Sequence, residues 1–196
     1  MKKTLITILA TVLVCCCAVG GTLAWLMDST QSITNTFTVG NVDIELTETD
    51  AEGNVLNASA TAQNASFKMV PGSTIAKDPK ITVKANSEAA WLFVKVEESS
   101  TLDTYITWAI ADGWTALADE DGVYYREAAA TGNADATPIS ILKDNSVTVN
   151  SGVTKAQMDA LNAGGTTQPT LKFTAYAVQK ENLTVTAAWA AAQDAT

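Results

Sequence analysis

Catalysis and metal binding draw on a short list of side chains at set spacings, and this chain supplies few of them. Histidine is absent, and the three cysteines stand side by side as Cys15, Cys16 and Cys17 in an apolar run. An HExxH zinc site, a Ser-His pair and a Cys-His pair are therefore excluded. A glycine-rich phosphate loop and a basic patch are missing too. What remains is carboxylate chemistry, with 21 aspartates and glutamates. Their densest group is Asp119-Glu120-Asp121-Gly122. A calcium loop needs oxygen ligands at alternate positions and a distal bidentate glutamate, and this segment has neither. It reads as a turn. Most other carboxylates alternate with apolar residues or sit in turn-like stretches, as on solvated strand faces. A glycosidase-type carboxylate pair stays open. No catalytic, cofactor-binding or metal-ligating residue is assigned, and no cofactor is expected. Asn57-Ala58-Ser59 and Asn64-Ala65-Ser66 match the glycosylation triplet, but ordinary loop polarity accounts for both.

The clearest chemical instruction is at the start of the chain. Lys2 and Lys3 form a basic end, Leu5 to Val14 is apolar apart from Thr7 and Thr11, and Ala18, Gly20, Gly21, Thr22 and Ala24 are small. That order is what a secretory signal needs, because the small residues let the backbone lie extended in a peptidase cleft. Thr22 and Ala24 fit the two small-residue places before a cut, so cleavage is expected after Ala24, leaving Trp25 first. A cut after Trp25 is the variant. The rival readings are an uncleaved anchor, since the apolar stretch counted to Met27 is long enough to span a bilayer, and a lipoprotein at Cys15. Three small apolar residues in a membrane-inserted helix also account for the cysteines.

Residues 20–46 carry a resemblance. Gly21-Thr22-Leu23-Ala24-Trp25-Leu26-Met27-Asp28 is followed by Asn35-Thr36-Phe37-Thr38-Val39-Gly40-Asn41-Val42-Asp43-Ile44. This resembles the SipW-type signal region of Gram-positive bacteria, in which G-T-x-A-aromatic-x-x-D precedes N-T-F-x-x-G-x-x-D-hydrophobic. The family is that of the TasA biofilm fibre proteins and camelysin. Residues 69–97 and 169–190 resemble it more loosely. The resemblance implies a jelly-roll-like β-sandwich and a matrix or fibre role. The camelysin branch has carried a metallopeptidase label, to which a chain without histidine lends no chemical support.

Bulk properties agree with export. A chain starting at Trp25 loses Lys2 and Lys3 from the 12 basic residues and none of the 21 acidic ones, so net charge moves from −9 to −11. That argues against a nucleic-acid partner, which needs a positive face, and suits a protein that must not stick to an anionic surface. It has no cysteine for disulfides. About 172 residues remain, one domain with its own core. No second long apolar run and no LPxTG-like signal are present, so the membrane is expected to be touched only by the signal segment. The expected domains are a signal over 1–24 and a single β-sandwich over 25–196, in a secreted, extracellular or cell-surface protein.

The elements that follow read as β. Val42, Ile44 and Leu46 alternate with polar residues, Phe37 and Val39 extend the alternation, and Gly40 marks a bend. Turns are predicted at 50–54 and 69–74. Strands follow over 80–87 and 90–97, the second apolar on both faces as a central strand is. Further strands are predicted over 104–110 and 123–127, and a hairpin over 139–149. Thr154-Lys155-Ala156-Gln157 predicts a capping box, with Val153 and Met158 as staple and Gly164-Gly165 as stop. Leu171, Phe173, Ala175 and Ala177 share one face of a last strand, and 186–193 predicts a short helix. The expected fold class is mainly β, an antiparallel β-sandwich with one or two short helices behind a signal helix.

Two function classes follow. One is a structural protein that self-associates, or joins related matrix subunits, after a signal peptidase frees its arm. The arm carries Trp25, Leu26, Ile33, Phe37 and Val39, which could add as a strand to a neighbour's sheet edge. The other is a monomeric secreted or membrane-anchored binding module or hydrolase.

Overall fold

A computed structural model of the protein describes residues 41–58 and 65–194. The described chain is mainly β and forms three antiparallel sheets. In the first, β1 (Ile44–Thr49) lies between β2 (Val55–Asn57) and β4 (Lys80–Val83), and β4 also pairs with β9 (Ile139–Ser140). In the second, β10 (Ser146–Val149) lies between β3 (Thr74–Ala76) and β6 (Ile106–Thr107). The third has the order β11 (Leu171–Gln179), β5 (Ala90–Glu98), β8 (Val123–Ala128), β7 (Thr115–Ala116).

The first and third sheets pack face to face, as alternation within their strands requires. Ile44 and Leu46 of β1 and Ile81 and Val83 of β4 meet Leu92, Val94 and Val96 of β5 and Phe173, Ala175 and Ala177 of β11. The apolar parity of β11 read from the sequence is the face it buries. β5 has core on both sides, and Phe93 points away from the sandwich into a second cluster with Leu117, Val123, Ala188, Trp189 and Ala192. There helix α3 (Val185–Asp194) covers the outer face of the third sheet. Trp189 stands 5.3 Å from the rings of both Phe93 and Tyr176, edge-on to the latter. Phe93 is fully buried, which contributes about 1.5–3 kcal/mol.

The second sheet builds a third cluster with helix α1 (Leu102–Tyr105) and helix α2 (Lys155–Asn162). α2 starts as its sequence dictates. The Gln157 N–H donates to Thr154 Oγ1 and the Thr154 N–H donates to Gln157 Oε1. It stops at Gly164, φ +68, where Gly164 N–H reaches the Leu161 carbonyl and Gly165 N–H reaches that of Ala160. Those two bonds satisfy last-turn carbonyls, as in a Schellman ending. Val153, Met158 and Leu161 bury its one apolar face.

Three expectations are corrected. Residues 139–149 do not form a hairpin: β9 belongs to the first sheet and β10 to the second. Between them the 3₁₀ turn Lys143–Asn145 places Asp144 at φ 54 and Asn145 at φ 48. Ile141 enters the sandwich core and its neighbour Leu142 enters the cluster under the second sheet, and the left-handed residues that follow lead the chain into β10. Residues 104–110 are not one strand either. Leu102 and Tyr105 are both buried in one cluster, which a helical turn achieves by bringing residues three apart to one side. Asn150 then closes the turn, its amide bonding the carbonyls of Asp103 and Thr104 at 2.9 and 3.1 Å. Only Ile106–Thr107 stays extended. Finally, three helices rather than one or two are present among the described residues. The signal helix and the bend at Gly40 lie outside them.

Candidate functional site

A cleft of about 770 Å³ opens where the three sheets approach one another. β1 and β2 give Leu46, Glu48 and Leu56, β3 gives Ile75, and β11 gives Leu171, Lys172 and Phe173. Leu102, Ile106 and Val147 line it from the side of the second sheet, and Phe67 and Met69 from the segment before β3.

One charged pair belongs to this apolar cleft. Lys77 Nζ lies 2.5 Å from Glu48 Oε1, with side-chain exposures of 11% and 18%. The ammonium also sits 5.1 Å from the Phe67 ring centre and 5.4 Å from that of Phe173. Ring faces attract cations, so three groups hold Lys77. Its charge is matched at once by Glu48. The arrangement therefore makes an apolar trough with a locally neutral patch, suited to hydrophobic side chains and extended backbone.

β11 borders the cleft and is an edge strand among the described residues. Among the described residues it pairs with β5 alone, over all nine residues. None of those nine is buried, whereas β5 beside it has five buried residues. An edge strand presents unpaired N–H and C=O groups that can accept another strand.

Elsewhere charges serve the sheets. On the first sheet, Lys84 Nζ reaches Asp135 Oδ2 at 2.5 Å and Glu45 Oε2 at 3.2 Å, and the Asn57 amide donates to Glu45. The Asp135 and Glu45 bonds hold the Lys84 amine above its ordinary range. Burial pushes the Asp78 carboxyl up, but bonds from Lys80 and from the Thr49 N–H and hydroxyl outweigh this and hold it low. Among the described residues no three His, Cys, Asp or Glu gather to hold a metal. The acidic turn 119–122 leads into β8, with Asp119 at φ 63 and Gly122 at φ 73.

The residues singled out for processing, Thr22, Ala24 and Trp25, lie outside the described residues, as do the arm residues Leu26, Ile33, Phe37 and Val39. The cleft itself was not foreseen. Glu48 and Lys77 stand 29 positions apart and Phe173 is farther still, so no local spacing announces their meeting. The one available signal is the apolar face shared by Leu171, Phe173, Ala175 and Ala177; the edge position of that strand is decided by the sheet order. No family model matches this chain, and neither a characterised protein nor a solved structure does.

Proposed function

We propose that this is a secreted structural protein that assembles into extracellular fibres or biofilm matrix by strand exchange through its N-terminal arm. The observation that carries the reading is that β11, beside an apolar cleft, pairs along only one side among the described residues, over nine residues. The arm has the matching chemistry: Trp25, Leu26, Ile33, Phe37 and Val39 are separated by polar residues. Such a segment gains backbone hydrogen bonds along the edge while its large side chains fill the trough. Each such burial contributes about 1.5–3 kcal/mol, set against about 1–2 kcal/mol of backbone ordering per residue. Cleavage after Ala24 by a signal peptidase frees the arm. The resemblance of residues 20–46 to the signal region of the TasA and camelysin family supports the same reading. No catalytic role is proposed.

The test compares chains beginning at Trp25 and at Asn41. Both should show the same circular dichroism. Only the longer should form high-mass species in light scattering and filaments in electron micrographs. Equal assembly by the shorter chain would remove the arm from the mechanism.

The cleft's volume favours a second reading, a monomeric binding module, because small-molecule sites are commonly of this size. A chain beginning at Trp25 that stays monomeric and binds an apolar fluorescent probe in the cleft would support it.

A further inference from the structure

The cleft holds charges where its strands would otherwise continue an apolar row. Ile44 and Leu46 of β1 face the sandwich core, and Glu48 is next in the same alternation. Ile75 of β3 packs on the cluster under the second sheet, and Lys77 stands two residues on. Leu46, Glu48, Ile75 and Lys77 all line the cleft.

The ion pair leaves Lys77 only partly matched. An ammonium carries three N–H donors. Among the described residues, Lys77 Nζ has one hydrogen-bond acceptor, Glu48 Oε1. The Phe67 and Phe173 rings, 5.1 and 5.4 Å away, attract its charge but offer no lone pair. With the Lys77 side chain only 11% exposed, little bulk water reaches the other donors, and a donor left unmatched costs stability. Lys84 differs. It meets carboxylates of both Asp135 and Glu45 and is half-exposed.

Charge decides what can meet the spare donors. An anion there would lie against the Glu48 carboxylate, and a cation would face the Lys77 ammonium, so either is repelled by one member of the pair. A carbonyl oxygen accepts the hydrogen bond and brings no net charge. The rest of the ligand must be apolar, because Leu46, Ile75, Phe67 and Phe173 surround the pair.

We propose that the cleft binds an uncharged apolar small molecule that bears a carbonyl, of the class of fatty-acyl amides and esters. Lys77 Nζ donates to the carbonyl oxygen, Glu48 holds the ammonium in place, and the acyl chain lies against Phe67, Phe173 and Ile75. The cleft, at about 770 Å³, has the size of a small-molecule site. The proposal rests on the binding-module reading and gives that site its ligand class.

The chain beginning at Trp25 is titrated by calorimetry with N-methyloctanamide, octanoate and octylammonium, which share one alkyl tail. The amide should saturate the protein and bind about tenfold more tightly than either ion. The double variant Glu48→Leu, Lys77→Met keeps an apolar cleft without stranding a charge. It should bind the amide about tenfold more weakly, the worth of one hydrogen bond from a charged donor. Its affinity for N-phenyl-1-naphthylamine, an uncharged probe without a carbonyl, should match that of the unaltered chain, which shows that the cleft is intact. If the double variant loses its circular dichroism, the ranking of the three tails on the unaltered chain decides alone. Equal binding of the three, or an amide affinity unchanged in a folded variant, overturns the ligand class and leaves the binding-module reading in place. Failure of the naphthylamine and of every tail to bind overturns both.

Discussion

Lys77 and Glu48 meet 2.5 Å apart in the cleft, joining the segment after β3 to the end of β1. Both are largely buried, and the lysine has no other carboxylate among the described residues. Removing one partner therefore strands a charge. Glu48→Leu or Lys77→Met alone should cost about 1–3 kcal/mol, below the range for a fully buried pair because some water reaches this one. The double substitution should recover part of that loss. Urea denaturation of the four proteins measures the coupling, and additive single losses would show that the two charges do not interact.

Gly122 should tolerate no side chain. A Cβ there would lie 2.5 Å from the Val96 carbonyl oxygen, and its φ is +73. The Val96 N–H meanwhile donates to the Gly122 carbonyl at 2.8 Å, so the two backbones cannot part without losing that bond. Gly122→Ala should cost about 2–4 kcal/mol. Gly53, at φ +87 with open space around it, should cost only about 1 kcal/mol on the same change. Thermal unfolding of both variants tests the difference.

Stability should be flat across the neutral range and fall outside it. Bonds from Asn54 to Asp50, from Lys172 to Glu97 and from Lys84 to Asp135 hold these carboxyls below their ordinary values. In Asp78, burial works the other way and is outweighed by Lys80 and Thr49. A lowered carboxyl stabilises fully above its ordinary value, near 3.8 for aspartate and 4.5 for glutamate, and the gain is lost as pH falls through the lowered one. Lys84 and Lys172 are raised by Asp135 and Glu97 respectively, so their contribution is full below 10.5 and is lost as pH rises through the raised values. With no histidine there should be no step near pH 6.5. Most of these pairs are exposed, so salt should shrink both flanks. Chemical denaturation from about pH 3 to about pH 11 with and without added salt reads the profile, and a transition near neutrality would contradict it.

Processing is checked in culture supernatant. The secreted protein should begin at Trp25 or Leu26 by mass spectrometry. Ala24→Arg should block release, because the side chain before the cut must fit a small pocket. An intact 1–24 segment in the membrane fraction would establish the anchor instead.

Local order was legible wherever one residue pattern answered one local need. The capping box at Thr154 and Gln157, the stop at Gly164, the turn at 50–54 and the single apolar face of β11 are all satisfied within a few residues or along one strand. So is the two-faced burial of β5, whose apolar run from Trp91 to Val94 requires core on both sides. The sequence alone also settled what chemistry is unavailable, since a chain without histidine cannot build a histidine site in any fold.

Tertiary structure decided the rest, because partners distant in sequence set the outcome. Residues 139–149 have the local pattern of a hairpin, yet β4 claims one half and β3 and β6 the other. Leu102 and Tyr105 turn helical because a shared cluster buries both and Asn150 satisfies the freed carbonyls. The Lys77–Glu48 pair and the Phe67 and Phe173 rings around it exist only once three sheets have packed. Alternation tells each strand which face to bury, but not which neighbour covers that face. That choice belongs to long-range packing.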